Sequence, residues 1–249
     1  MQRHVFFGNR TLLLNLAAGL LAMTGLAAAV AFSVANSFRS GQPLDDPAFV
    51  QDIAVFGFPF AQIFLGVVAI LFICSEWSSG FIYTTHSAIQ RPLSFVVAKT
   101  MWPALACAVG TVAMMVVVVP LENWLLAGTP YSISLFDAAV WRQIAALAFV
   151  TVSAVSFAAG IALILRNSAT ALGLYISIIL IAPIIIGQIP VDTAREIAKW
   201  LPNNVFNFLT TNAPDAMATL NYPLLIAAAI AYPLAVLAIG FLRLRRRVV

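Results

Sequence analysis

Six long apolar runs, separated by short polar stretches, occupy most of this 249-residue chain. A helix needs about 20 mostly apolar residues to cross the roughly 30 Å hydrocarbon layer of a bilayer. The runs predict spanning helices near 11–36, 53–75, 98–120, 139–165, 169–189 and 222–242. The expected fold class is an all-α integral membrane protein with six transmembrane helices, forming a single domain over 1–249. The first run is too long and too polar at its far end for a cleaved signal peptide, so it is expected to be a true span.

The polar stretches carry their own signals. Segment 37–52 reads as a loop with turn formers Gly41, Pro43 and Pro47, and segment 121–138 as another with Gly128 and Pro130. Arg166, Asn167 and Ser168 join two spans so tightly that these must form an antiparallel hairpin, with Asn167 or Ser168 as N-cap of the second. Segment 190–221 is longer. Thr193 and Glu196 fit a capping box, and Ala194, Ile197, Ala198 and Leu201 recur at helical spacing opposite Arg195 and Lys199. Trp200 suits a headgroup layer, Pro202 stops this helix, and Val205, Phe206, Phe208 and Leu209 form a second apolar patch. Two short helices at or dipping into the outer interface are expected between the fifth and sixth spans, against the simpler reading of a loop across the bundle.

Composition agrees. Aliphatic, aromatic and cysteine residues make up 62% of the chain, only 9% is charged, and mean hydropathy is +1.00. A soluble domain has an aqueous surface to cover and does not tolerate that ratio. Loop charge sets orientation, because cytoplasmic loops carry the excess of Lys and Arg. One side receives nine: Arg3, Arg10, Arg91, Lys99, Arg166, Arg243, Arg245, Arg246 and Arg247. The other receives four: Arg39, Arg142, Arg195 and Lys199. Both termini, which share a side after six crossings, are therefore expected in the cytoplasm. The closing arginine cluster reads as a stop-transfer anchor beside anionic membrane lipids, and the pI near 9.4 implies no nucleic-acid partner.

Within the spans the chemistry is sparse. Cys74 and Cys107 read as buried free thiols, without metal-ligand spacing. No span carries Lys, Asp or Glu near its expected centre, the residues that ion-coupled carriers ordinarily need. Gln62, among Phe56, Phe58, Phe60 and Phe64, has two readings: a substrate pathway lined by Phe56, Phe60, Gln62 and Phe64, or a hydrogen bond to a neighbouring helix. Ala169, Gly173 and Ser177 repeat every four residues, as Ser156 and Gly160 do in the preceding span. Small residues at that spacing let helices approach closely, either inside one subunit or, for Gly173 and Ser177, at a seam between subunits.

The richest segment is SEWSSGFIYTTHSAIQRPLSFVVAK, from Ser75 to Lys99. Glu76 follows an apolar run, Trp77 can anchor at the interface, and Gly80 permits a sharp change of direction. Phe81 to Ile89 then read as a short surface helix, ended by Arg91 and Pro92 because the residue before proline avoids the α region. In this segment Glu76, Gly80, Thr84, Thr85, Arg91, Pro92 and Lys99 resemble the loop between the second and third spans of permease subunits of the type-2 ABC exporter family. The likeness extends to six spans, both ends inside, and helical elements before the last span.

The resemblance implies that this loop docks in a groove of a separate ABC-type ATP-binding subunit, through Glu76, Ser79, Gly80, Thr84, Thr85 and Arg91. It implies two copies of that ATPase and a second membrane subunit, the same chain or a related one. The chain has no G-x-x-x-x-G-K-[ST] run, so it needs no cofactor itself, and ATP and Mg belong to the partner. The expected function is ATP-driven export of a hydrophobic or amphipathic substrate: a drug, an antimicrobial peptide or a lipid-like compound. The alternative is an ATP-independent secondary carrier or channel. No H-E-x-x-H, membrane Asp pair or nucleophile elbow points to an enzyme.

Overall fold

The structure, a computed structural model, describes residues 9–42, 47–78, 92–131, 133–212 and 221–245. The described residues form helices: α1 (Arg10–Arg39), α2 (Ile53–Phe56), α3 (Phe58–Ser78), α4 (Pro92–Leu125), α5 (Ala138–Leu165), α6 (Ser168–Ile176), α7 (Ala182–Gly187), α8 (Asp192–Lys199), α9 (Pro202–Thr210) and α10 (Tyr222–Arg245). A 3-10 turn (Pro47–Asp52) leads into α2, and a π turn (Ser177–Ile181) joins α6 to α7. Six helical stretches are long and apolar enough to cross a membrane: Arg10–Arg39, Phe49–Ser75, Val96–Leu125, Ala138–Leu165, Ser168–Gly187 and Tyr222–Arg243.

These match the six runs, with three corrections at the edges. The expected loop at 121–138 loses its first five residues to α4, and the loop at 37–52 loses its first three to α1 and its last six to the 3-10 turn. Lys99, read as the close of a loop, lies two turns inside α4, which opens at Pro92. Proline suits the first helical position, where its missing N–H is no loss.

The hub is α5, packed against α10, α4 and α3. Its sequence explains the position. Ala154, Ala158, Ala159, Gly160 and Ala162 are all buried, and such short side chains let several helix backbones close in at once. At Gly160 an added Cβ would lie 2.8 Å from Val236 and 3.0 Å from the Leu237 backbone nitrogen, so the crossing of α5 with α10 depends on that glycine. The expected packing role of the fourth span's small residues is met there.

The hairpin between α5 and α6 is as tight as expected. Arg166 ends α5 in the left-handed region at φ 60°, and Asn167 caps α6 by accepting from the Thr170 backbone N–H at 3.1 Å. Asn9 at the start of α1 and Ser168 at the start of α6 line one cleft with Cys74 near the end of α3, while Arg166 reaches α10 at Arg243. Both ends of the described chain therefore lie at the same end of the bundle. The opposite end gathers Arg39, Asp52, Arg142, Thr211 and Asn212.

Between the fifth and sixth spans two short helices do form, but not as the sequence suggests. Val191, not Thr193, precedes α8 and no side chain caps it; Glu196 instead pairs with Lys199 at 2.6 Å. Ala198 is buried while Ile197 stays exposed. The turn at Trp200 is held by the Tyr232 hydroxyl, which donates to the Trp200 carbonyl. Tyr232 is ten residues into α10, about 15 Å along its axis. Trp200 thus lies near the middle of the last helix rather than at its end. From there α9 climbs back, burying Val205, Phe206 and Leu209, to reach Asp52 and Arg142.

Candidate functional site

Of the residues expected to form a docking loop, Ser79, Gly80, Thr84, Thr85 and Arg91 lie outside the described residues, as does the expected helix from Phe81 to Ile89. The described chain fixes both flanks of that segment. Glu76 and Trp77 belong to the last turn of α3, which continues to Ser78. The Arg166 guanidinium lies over the Trp77 ring, 4.4 Å from its centroid. Arg166 also donates to the Arg243 carbonyl at 3.4 Å, and Arg243 to the Ile164 carbonyl at 3.0 Å. On the other flank Lys99 is 1% exposed, its ammonium 4.5 Å from the Phe72 centroid. A cation over an aromatic face contributes about 0.5–2 kcal/mol, more as water is excluded. The exit of α3 is tied to the α5–α6 turn, and the entry of α4 is tied to α3.

The Phe-rich stretch does not line one surface. Phe56 and Phe60 are about half exposed on the outside of the bundle, Phe64 is partly buried, and Gln62 is wholly buried. Gly57 breaks the helix between Phe56 and Phe58, fitting against the backbone of Met23. The main-chain carbonyl of Gln62 accepts from the Tyr175 hydroxyl at 2.9 Å. Gly66, one turn on, leaves the space that the Tyr175 ring fills. The Tyr175 hydroxyl and ring thus tie α6 to α3 at Gln62 and Gly66.

Ala169, Gly173 and Ser177 face outward, and a Cβ at Gly173 would meet nothing within 4 Å. Ser177 bonds back to the Gly173 carbonyl at 2.8 Å. Among the described residues Gly173 is thus not pressed against another helix, unlike Gly160.

The polar residues that sequence reasoning passed over gather at the end opposite the chain ends. Asp52 accepts from Gln143 Nε2 at 2.9 Å, from the Asn212 backbone N–H at 2.6 Å, and from the Thr211 hydroxyl. Gln143 also donates to the Gln51 carbonyl at 2.9 Å. Arg142 Nη2 donates to the Thr211 carbonyl at 3.0 Å and to Asn212 Oδ1. The C-terminal end of α9 is thereby fastened to α5 and to the entry of the second span. A cavity of about 400 Å³ opens beside this cluster, lined by Gln51, Asp137, Val140 and Asn212 among others.

Glu122 is the second omission. It is 0% exposed, and among the described residues neither carboxylate oxygen has a hydrogen-bond partner. Thr111 and Thr151 meet at 3.3 Å across the antiparallel pair α4 and α5, which puts Glu122 at about the level of Val140. The sequence held the signal: Thr111, Met115, Val118 and Val119 are the buried face of α4, and the same spacing lands on Glu122. Comparison of the chain with protein-family models, with curated proteins and with solved structures finds no match.

Proposed function

We propose that the chain is the membrane-spanning permease subunit of an ATP-driven exporter in the bacterial plasma membrane, with both termini cytoplasmic. In this reading residues 76–91 dock on a separate ABC-type ATP-binding subunit, through Glu76, Ser79, Gly80, Thr84, Thr85 and Arg91. The cargo is a hydrophobic or amphipathic molecule, and ATP and Mg stay on the partner. The observation that carries the proposal is the clamping of both flanks, Trp77 under Arg166 and Phe72 under Lys99. A loop that transmits force must be hung from helices that do not yield, and these flanks bind α3, α4, α5 and α10 into one frame. The outward stripe of Gly173 and Ser177 supports a second membrane subunit packed there, with two ATPases beneath the pair.

The test is substrate-stimulated ATP hydrolysis by the purified assembly. Replacing Glu76 or Arg91 with Ala is expected to reduce stimulation while leaving membrane insertion intact. Unaltered stimulation in both variants, or a purified assembly with no ATP-hydrolysing companion, removes the docking role.

One observation favours the alternative, an ATP-independent carrier. Glu122 is a buried ionisable group inside a span, the kind of residue on which proton- or ion-coupled transport depends. Transport that persists when ATP hydrolysis is blocked, and that fails in Glu122→Gln, selects this second reading.

A further inference from the structure

Four charges share one side of α8. Asp192, Arg195, Glu196 and Lys199 recur at i, i+3, i+4 and i+7, and their side chains are open, from 44% exposed at Lys199 to 99% at Asp192. Arg195 pairs with Asp192 at 3.6 Å and Lys199 with Glu196 at 2.6 Å. Ala198, the one buried residue of α8, lies off that side. We propose that the charged side of α8 borders water inside the membrane layer, as the wall of a wet recess. The recess opens at the end of the bundle where Asp52 and Arg142 lie, and reaches down to Trp200. The inference is independent of how, or whether, the chain uses ATP.

Depth is what makes this side informative. The Tyr232 hydroxyl donates to the Trp200 carbonyl, and Trp200 lines an apolar hollow with Leu224, Ala228 and Ala231. The last apolar span begins at Tyr222, and Ala228 is about 9 Å further along it. A second path gives the same level. The nine residues of α9 climb about 13 Å from Pro202 before Thr211 reaches Arg142 and Asp52. The π turn, which packs against α9, lies six to ten residues below Gly187 at the end of the fifth span. Lys199 is therefore about 10 Å inside an apolar layer roughly 30 Å thick.

A charge facing lipid tails is heavily disfavoured. At the bilayer centre the factor is about sixtyfold for one side chain, and α8 carries four. Pairing offsets only part of this. The Lys199 ammonium has three N–H donors and spends one on Glu196. The helix packs on its chain neighbours α7 and α9, which leaves its charged side open. Water meets the remaining donors and acceptors, and charged groups at membrane depth are tolerated where they border a water-filled cavity. Such a recess gives the polar part of an amphipathic cargo a wet wall over that third of the membrane.

The test is thiol labelling of the full chain in phosphatidylcholine vesicles. A permanently cationic, membrane-impermeant methanethiosulfonate is present on both sides, so that orientation does not matter. Lys199→Cys reports the deep end of α8. Ile230→Cys reports lipid at the same depth: it is exposed on α10, about 120° round the helix from the face that meets Trp200. The parent chain sets the baseline, because Cys74 and Cys107 are buried. Lys199→Cys is expected to label at least about tenfold faster than Ile230→Cys. If Lys199→Cys does not give a monodisperse protein, Glu196→Cys, one turn nearer the mouth, decides on the same criterion. Equally slow labelling overturns the proposal, because the charged side is then dry. Equally fast labelling overturns it too, because the level of Trp200 then lies outside the apolar layer and α8 is a surface helix.

Discussion

The guanidinium of Arg166 sits 4.4 Å from the ring centroid of Trp77, joining the turn between α5 and α6 to the last turn of α3. Arg166 holds this position in the left-handed region, at φ 60°, which costs a non-glycine residue about 1–2 kcal/mol. A side chain kept there against that cost is held by its contacts: Trp77 and the Arg243 carbonyl. Trp77→Ala is expected to destabilise the chain by about 1–2 kcal/mol in detergent unfolding. Arg166→Gly, which relieves the backbone while losing the same contact, is expected to cost less. A double variant whose effect equals the sum of the two singles would show that the stacking carries no coupling energy.

Asp52 is the tie between the first half of the chain and the segment after α9. Asp52→Ala strands the Asn212 N–H, takes an acceptor from the Thr211 hydroxyl and removes one of the two acceptors of Gln143. Each buried donor left unmet costs about 1–3 kcal/mol, so a loss of about 3 kcal/mol is expected. Hydrogen exchange gives the local signature: the Asn212 amide is expected to lose protection in Asp52→Ala and to keep much of it in Asp52→Asn, whose amide oxygen still accepts. Equal protection in all three proteins removes the tie.

Glu122 runs the other way. A fully buried carboxyl without partners among the described residues is desolvated without return, so Glu122→Leu is expected to stabilise the fold by about 1–3 kcal/mol in thermal unfolding. A destabilised Glu122→Leu would mean that the group is held by something beyond the described residues.

Gly66 and Tyr175 make the sharpest steric prediction. A Cβ at position 66 overlaps the Tyr175 ring, which is itself fully buried. Gly66→Ala is expected to cost about 1–3 kcal/mol through overpacking, and Tyr175→Leu in the same chain to recover part of it. A Gly66→Ala protein as stable as the parent shows that α6 can shift freely, and removes the contact as a fixed point.

What the sequence determined by itself was whatever depends on the solvent each residue meets. Six apolar stretches of membrane length, the hairpin closed by Arg166 and Asn167, and two short helices between the last spans are all written in composition and local spacing. These follow from near neighbours along the chain, so near neighbours suffice to read them. The tertiary structure alone decided which polar residues meet. Asp52 and Asn212 are separated by most of the chain, and only the dip of α8 and α9 brings them together. Gly160 and Gly173 look alike in sequence, yet one is pressed against α10 and the other faces open space. Glu122 looked like a loop acid because its charge outweighed a helical spacing that continues through it. The physical reason is the same each time: hydropathy says whether a residue leaves water, while partner and facing are properties of how helices pack.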